Sequence, residues 1–362
     1  MNPTTRRKGS HIDVCIGEGV EALEKGAGFG DVEFVHEALP ELDYGSVDLG
    51  VTLLGKKLKA PLLVEGITGG YPKAAEINRA LAEAAQENGV GMGLGSQRAM
   101  LEDASLAGTY KVRDVAPKIL LVGNIGVAQL KKYDARKIAR AVSDVGADAV
   151  AVHLNVLQEL AQPEGDRDFS GSLALIERLC GESGVPVVAK ETGAGIGPGT
   201  ARRLEKAGVA AIDVAGAGGT SWAGVELVRA GKGHEKAFWD WGIPTAVSTA
   251  LVARDAKVPV ICSGGVRSGV HAAKGIALGA SAAGAALPFL RAWGEGGKGR
   301  VSSLLRGWAE ELRMAMALTG CENVAALRSS RLIVTGRTAD ALCAFGCFPA
   351  SFATRERKRP RA

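Results

Sequence analysis

The sequence predicts an α/β chain folded as a (β/α)8 TIM barrel, with an N-terminal extension and a lid-like insertion after strand 6. Three observations carry this expectation. Eight short apolar runs recur from Pro61 onward, each closed by polar or glycine-rich residues, and most lead into a helical pattern. Strand-then-helix units joined by right-handed crossovers close into a parallel barrel when there are eight of them. Glycine-rich turns follow the seventh and eighth runs, where such barrels hold phosphate. A doubly wound open sheet is the alternative, but it has no need of eight units.

Composition sets the limits. The chain has 362 residues, 46% of them hydrophobic, which suffices for one elaborated barrel with a large core. Net charge is only +5, and part of it lies in the end RERKRPR, so no basic stripe interleaved with aromatics argues for nucleic acid. Six cysteines show neither CxxC pairs nor zinc-type spacing. The polar, basic start lacks an apolar signal core, and no apolar run is long enough to span a membrane. A soluble protein of a reducing cytoplasm is expected. The expected organisation is an extension over 1–60, a barrel over 61–345 and a basic, disordered tail over 346–362.

In the extension, Arg6, Arg7 and Lys8 precede His11. A basic N-terminal run is often a frayed tail, yet Arg and Lys beside His also suit a diphosphate. Loose alternation over 34–54 reads as a hairpin that plugs the bottom of the barrel. The first strand run, 62–67, is interrupted by Glu65 and leads through Thr68–Gly70 to a helix over 73–88. The second, 90–94, ends in GSQR, and the third, 119–122, ends in GNIG before a helix over 135–145. The fourth, 149–152, runs into His153, Asn155, Gln158 and Glu159, with a helix over 173–180 behind it. The fifth, 187–189, stops at Lys190 and precedes a helix over 200–206. The sixth, 211–214, ends in AGAGGTSW and an insertion over 222–241 that carries three of five tryptophans. The seventh, 258–262, ends in SGGVRSG before a helix over 271–278. The eighth, 282–286, precedes a long helix over 301–318.

Barrel active sites sit at the C-terminal ends of the strands, so these end residues share one mouth. Gly264 and Gly265 allow close backbone approach to an anion, Arg267 adds charge, and small residues at 284–286 complete the phosphate site. Thr68, Ser96 and Asn124 offer hydroxyl and amide groups to a planar polar ring. Lys190 ends a buried strand, where an ammonium needs a partner. It serves either as a Schiff-base lysine or as the positive charge beside the N1/C2 edge of a reduced flavin. Thr220 reaches the ring or the ribityl chain. Phosphate plus this rim describes FMN better than a sugar phosphate.

The set RKGSHI, ITGG, GSQR, GNIG, HLNVLQE, KETG, AGAGGTSW, WGIPT and SGGVRSG, in this order, resembles type 2, FMN-dependent isopentenyl-diphosphate isomerase. The resemblance runs from Arg7 to about Ala286, with no departure at the motif positions, and HLNxxQE with RKxxH is its most specific part. It implies interconversion of isopentenyl and dimethylallyl diphosphate by protonation and deprotonation. Reduced FMN would be the acid/base, Mg2+ would sit on the diphosphate, and NADPH or another reductant would supply electrons. It places FMN on Thr68, Gly69, Gly70, Ser96, Asn124, Lys190, Thr220, Gly265, Val266, Arg267, Ala285 and Ala286. It places substrate on Arg7, Lys8, His11, Ser96, Gln97, Arg98, His153, Asn155 and Gln158, and Mg2+ on Glu159. Gln158, Lys190, His153 and Asn155 form the implied catalytic set, and a homotetramer or homo-octamer is implied. The rival readings are an FMN-dependent oxidoreductase of the 2-hydroxy-acid or dihydroorotate type, a Schiff-base aldolase and a non-catalytic metabolite-binding barrel.

Overall fold

The computed structural model describes residues 3–17 and 19–356, with side chains from residue 9 onward. Eight parallel strands close into a barrel in sequence order: β1 (Leu62–Val64), β2 (Gly91–Gly93), β3 (Leu121–Gly126), β4 (Ala149–Leu154), β5 (Val187–Glu191), β6 (Ala211–Asp213), β7 (Val260–Ser263) and β8 (Ala282–Ala285). They are short and built of Val, Ile, Leu, Ala and Gly, because both faces are covered. Register places Gly126, His153, Lys190 and Asp213 side by side across β3 to β6. That row fixes the chemistry of the mouth.

The outer helices bury one face each. The helix Pro72–Asn88 buries Ala74, Ile77, Leu81, Ala84 and Ala85, starts with Pro in its first turn, and stops at Gly89 in the left-handed conformation. The helix Ala135–Asp144 is capped by Asp134, whose carboxylate accepts from Lys137 N–H. The last helix extends further back than expected, over Leu287–Leu318, with a kink at Gly296 and Gly297. Its glycines disguise the N-terminal part as a loop in the sequence.

A hairpin does close the bottom, but its strands are Val51–Leu53 and Lys56–Leu58. Leu54 and Gly55 both take positive φ at the turn, as a two-residue hairpin loop requires. Leu53 and Leu58 pack into the barrel interior against Leu63, Leu120, Val122, Ala149, Val188 and Ile261. Phe34, where the expected range begins, instead ends a strand, Val32–Phe34, that pairs antiparallel with Leu332–Val334.

The expected disordered tail over 346–362 is corrected through Glu356. Cys347 and Phe352 are buried, the short helix Ala350–Ala353 forms, and Arg355 Nη1 donates to Ala277 O at 2.6 Å. Phe352 supplies apolar burial that the basic composition hides, and its ring lies 4.4 Å from the Arg355 guanidinium. Residues 357–362 lie outside the described residues. Among the described residues, no helix is long and apolar enough to cross a membrane.

Candidate active site

The strand ends open onto a cavity of about 1510 Å³, counting its open mouth. Two segments cover it. His11, Ile12 and Cys15 come from the N-terminal helix Pro3–Gly17, and Trp222 starts the helix Trp222–Arg229 of the insertion. The His11 and Trp222 rings meet edge-on, centroids 5.4 Å apart. Asp240 stitches the insertion to the extension by accepting from Leu23, Glu24 and Lys25 N–H.

One wall is the end of β4. His153 Nδ1 lies 2.7 Å from Asn124 Oδ1. With the Asn124 amide in this orientation, its oxygen accepts a proton carried on Nδ1. Asn155 Nδ2 donates to Gln158 Oε1 and Glu159 Oε1, at 3.2 and 3.0 Å. This leaves Asn155 Oδ1 buried without a hydrogen-bond partner. Glu159 Oε2 accepts from Asp166 N–H at 2.8 Å. Gln158 Nε2 donates to Glu226 Oε1 at 2.9 Å, so both ends of its amide are held. Glu226 is fully buried and also meets Arg229 Nε at 2.8 Å and His11 Nε2 at 3.0 Å. Burial alone would raise the Glu226 carboxyl, but His11, Gln158 and Arg229 hold it down at about 2.

The floor is Lys190. Its Nζ meets Asp213 Oδ2 at 2.5 Å, Glu65 Oε2 at 3.0 Å and Ser263 Oγ at 3.3 Å. Burial alone would lower this lysine, yet Asp213 and Glu65 together hold it above its usual value. The two carboxylates favour its ammonium form, and a protonated amine is no nucleophile. That argues against the Schiff-base reading.

The opposite wall carries Gly264, Gly265, Ala285 and Ala286. Gly264 and Gly265 have φ of 98° and 66°, and a Cβ on Gly264 would lie 2.2 Å from Gly216 O. Glycine is required there because backbone packs on backbone. The helix Leu287–Leu318 starts at this wall with no side-chain cap, leaving its N-terminal end to an anion. Arg267 lines the cavity while Glu21 Oε1 accepts from its Nε and Nη2, and Arg291 takes the other Glu21 oxygen.

The cavity brings together Thr68, Ser96, Arg98, Asn124, His153, Asn155, Gln158, Glu159, Lys190, Thr220, Gly265, Arg267, Ala285, Ala286 and His11. Four expected residues do not line it. Gly69 packs under the Tyr110 ring, 1.9 Å from where a Cβ would stand, and Gly70 N–H is taken by Thr109 Oγ1. Gln97 is 2% exposed and spends its amide on Ala141 O and Asn124 N–H, tying the second and third strand ends together. Val266 is buried in the outer core. Gly284 also turns away, leaving room for the Glu65 carboxyl. The Arg7 and Lys8 side chains lie outside the described residues. Glu65, Asp213, Glu226 and Glu21 were not expected in these roles. Glu65 and Asp213 do carry a signal, a charge inside an apolar strand run, whereas Glu21 and Glu226 carry none.

Comparison with known proteins supplies the family. The chain is 48% identical over 350 residues to isopentenyl-diphosphate delta-isomerase of Methanosarcina mazei, covering 94% of this chain and 95% of that protein. It is 46% identical to the Pyrococcus furiosus protein of the same name, covering 92% of this chain and 87% of that one. This chain belongs to the isopentenyl-diphosphate delta-isomerase family. The profile of the FMN-dependent dehydrogenases also matches residues 146–334. Solved structures of mandelate oxidase share the fold. One with benzaldehyde gives a TM-score of 0.65 at 22% identity over 90% of this chain and 94% of that one. Another, with an FMN adduct, gives 0.64 at 20% identity over 89% and 95%. The β4 wall and the Lys190 floor line the same cavity.

Proposed function

We propose that this chain interconverts isopentenyl and dimethylallyl diphosphate in the barrel mouth, with reduced FMN and Mg2+ bound there. In this reading NADPH or another donor keeps the flavin reduced, and the enzyme works in the cytoplasm as a homotetramer or homo-octamer. One observation carries it: a lysine held between two carboxylates lines the same cavity as a wall of oriented amides and a buried carboxylate.

The residues present fit both groups. For FMN, the uncapped helix start at Ala286 with Gly264 and Gly265 suits the phosphate, and Thr68, Ser96 and Asn124 suit a polar ring edge. Lys190 suits the anionic edge of the reduced form. For Mg2+, the buried Glu159 carboxylate and the unpartnered Asn155 Oδ1 are the hard oxygen donors of this wall. Among the described residues no group of three or more His, Cys, Asp or Glu side chains forms a metal cage. Mg2+ bound by one carboxylate plus substrate phosphate oxygens needs none.

When bound, reduced FMN would supply a proton-transferring nitrogen without net redox change. The chain's own residues do the rest. Arg98, with Arg7, Lys8 and His11 from the N-terminal helix, would hold the diphosphate, and this remote binding energy orients a hydrocarbon with no handle of its own. Ile12, Cys15, Trp222, Leu287 and Leu290 would enclose the hydrocarbon and exclude water. Gln158, clamped between Asn155 and Glu226, would set the position of the alkene end.

The test is solvent exchange. In heavy water with reduced FMN and Mg2+, recovered isopentenyl diphosphate should carry deuterium on carbon as the allylic isomer accumulates. Substrate consumed with stoichiometric oxidation and no deuterium uptake would point to the oxidoreductase reading, which shares the phosphate wall.

A further inference from the structure

Below the mouth, the barrel interior holds a narrow second void, reaching down to Leu54 of the hairpin plug. Its polar walls are Glu65, Asn124, Lys190 and Asp213. Three of these, Glu65, Asn124 and Lys190, also face the mouth. The void and the site above it are thus joined through a charged partition.

The partition does not balance. It holds two carboxylates and one ammonium, with side chains 10%, 2% and 13% exposed for Glu65, Asp213 and Lys190. Fully ionised, it carries an uncompensated negative charge in a nearly dry place, which is costly. One extra proton removes that charge, and the hydrogen bonds say where it goes. Asp213 has no vacant oxygen, because Lys190 holds Oδ2 while Ser263 Oγ and Ala215 N–H donate to Oδ1 at 2.5 and 3.2 Å. Glu65 Oε2 faces Lys190, but Glu65 Oε1 is buried without a hydrogen-bond partner. Gly284 stands where a Cβ would come within 2.1 Å of that oxygen, so the neighbouring strand leaves it room.

We infer that Glu65 is the proton-holding member of a three-group cluster under the site and compensates negative charge placed above Lys190. This rests on the flavin reading for the source of that charge. When an external two-electron reductant reduces the bound flavin to its anionic form, two electrons and one proton go to the flavin. Above about pH 7, where Glu65 stands ionised before reduction, one further proton would pass from solvent to Glu65 Oε1, and no other bond would change. The narrow void beside Glu65, walled mostly by apolar residues, has room for about one water that could hand on the proton. The groups facing Glu65 are Lys190 of β5 and Asp213 of β6, with neutral Asn124 of β3 and Ser263 of β7. Burial and the charge of Asp213 push Glu65 up to about 7 against the pull of Lys190, so the group stands ready to change state at neutral pH. Glu65 acts through Lys190 and is a positioning residue, not a catalytic one.

The experiment uses the full-length protein, wild type, Glu65→Gln and Asp213→Asn, with and without FMN. In the infrared spectrum without flavin, the wild type should show a protonated carboxyl band that disappears as pH rises through about 7. Glu65→Gln should lack it, and Asp213→Asn should lose it at lower pH. With FMN bound, the flavin midpoint potential should fall more steeply with pH in the wild type than in Glu65→Gln, by up to one proton per flavin reduced. Absence of the band in folded wild type, or equal slopes in wild type and a flavin-retaining Glu65→Gln, overturns the inference. Failure of every form to bind FMN overturns the flavin reading and the compensation step with it, while the infrared arm still decides whether Glu65 holds the proton.

Discussion

Lys190 stays charged in a nearly dry barrel because two carboxylates and a hydroxyl surround it, and its environment explains more than its position alone. Replacing it with Met leaves Glu65 and Asp213 buried without their cation. We expect Lys190→Met to cost about 3–5 kcal/mol in a denaturation experiment, and turnover should fall with reduced FMN present. Wild-type turnover in that variant would remove Lys190 from the mechanism. For Glu159→Gln the expectation is selective. The concentration of Mg2+ needed for half-maximal activity should rise about tenfold or more, while FMN retention on a gel-filtration column stays near wild type. Equal loss of both would make Glu159 a structural carboxylate holding Asp166 N–H. At this scale the legible residues were those that end an apolar run: His153, Asn155 and Lys190 interrupt a pattern and so announce themselves. Glu21 and Glu226 do not. Glu21 meets Arg267 across 246 residues of sequence, and no local pattern encodes such a meeting.

Elements were legible where burial imposes a rhythm. The eight strands emerged because each is covered on both faces and must be continuously apolar. The plug emerged only in part. Its two strands are three residues each, shorter than a period-two pattern can define, so the reading drifted upstream to 34–54. Leu53 is 1% exposed at the barrel's bottom, and we expect Leu53→Ala to cost about 2–5 kcal/mol. The denaturant midpoint should shift with an unchanged m-value. FMN binding by folded protein should persist, because the plug lies at the opposite end from the strand ends. The segment after Ala344 misled for another reason. Its basic composition reads as solvated, yet Phe352 is 4% exposed and Arg355 donates into the barrel helices. Phe352→Ala should therefore destabilise by about 3–5 kcal/mol, a loss that a disordered tail would not produce.

For the whole molecule, buried carboxylates set the dependence of stability on pH. Burial pushes Glu191 up to about 7, although Ala194, Gly193 and Thr192 N–H all donate to it, and Glu65 is raised likewise. A carboxyl raised on folding contributes stability below its unfolded value, lost as pH rises through its folded one. The melting temperature should thus fall between about pH 4.5 and about pH 7, less steeply in Glu191→Gln. Half-buried His271, pushed down, acts in the opposite sense below pH 6.5, so the comparison of variant with wild type carries the test. The central claim concerns what the mouth does. The measurement that tests it most directly is an absorption spectrum of the FMN-loaded protein, reduced anaerobically and then given isopentenyl diphosphate with Mg2+. The account predicts dimethylallyl diphosphate only after reduction, with the flavin still reduced when the reaction stops. Flavin reoxidised in step with substrate, or product formed with no flavin bound, would contradict it.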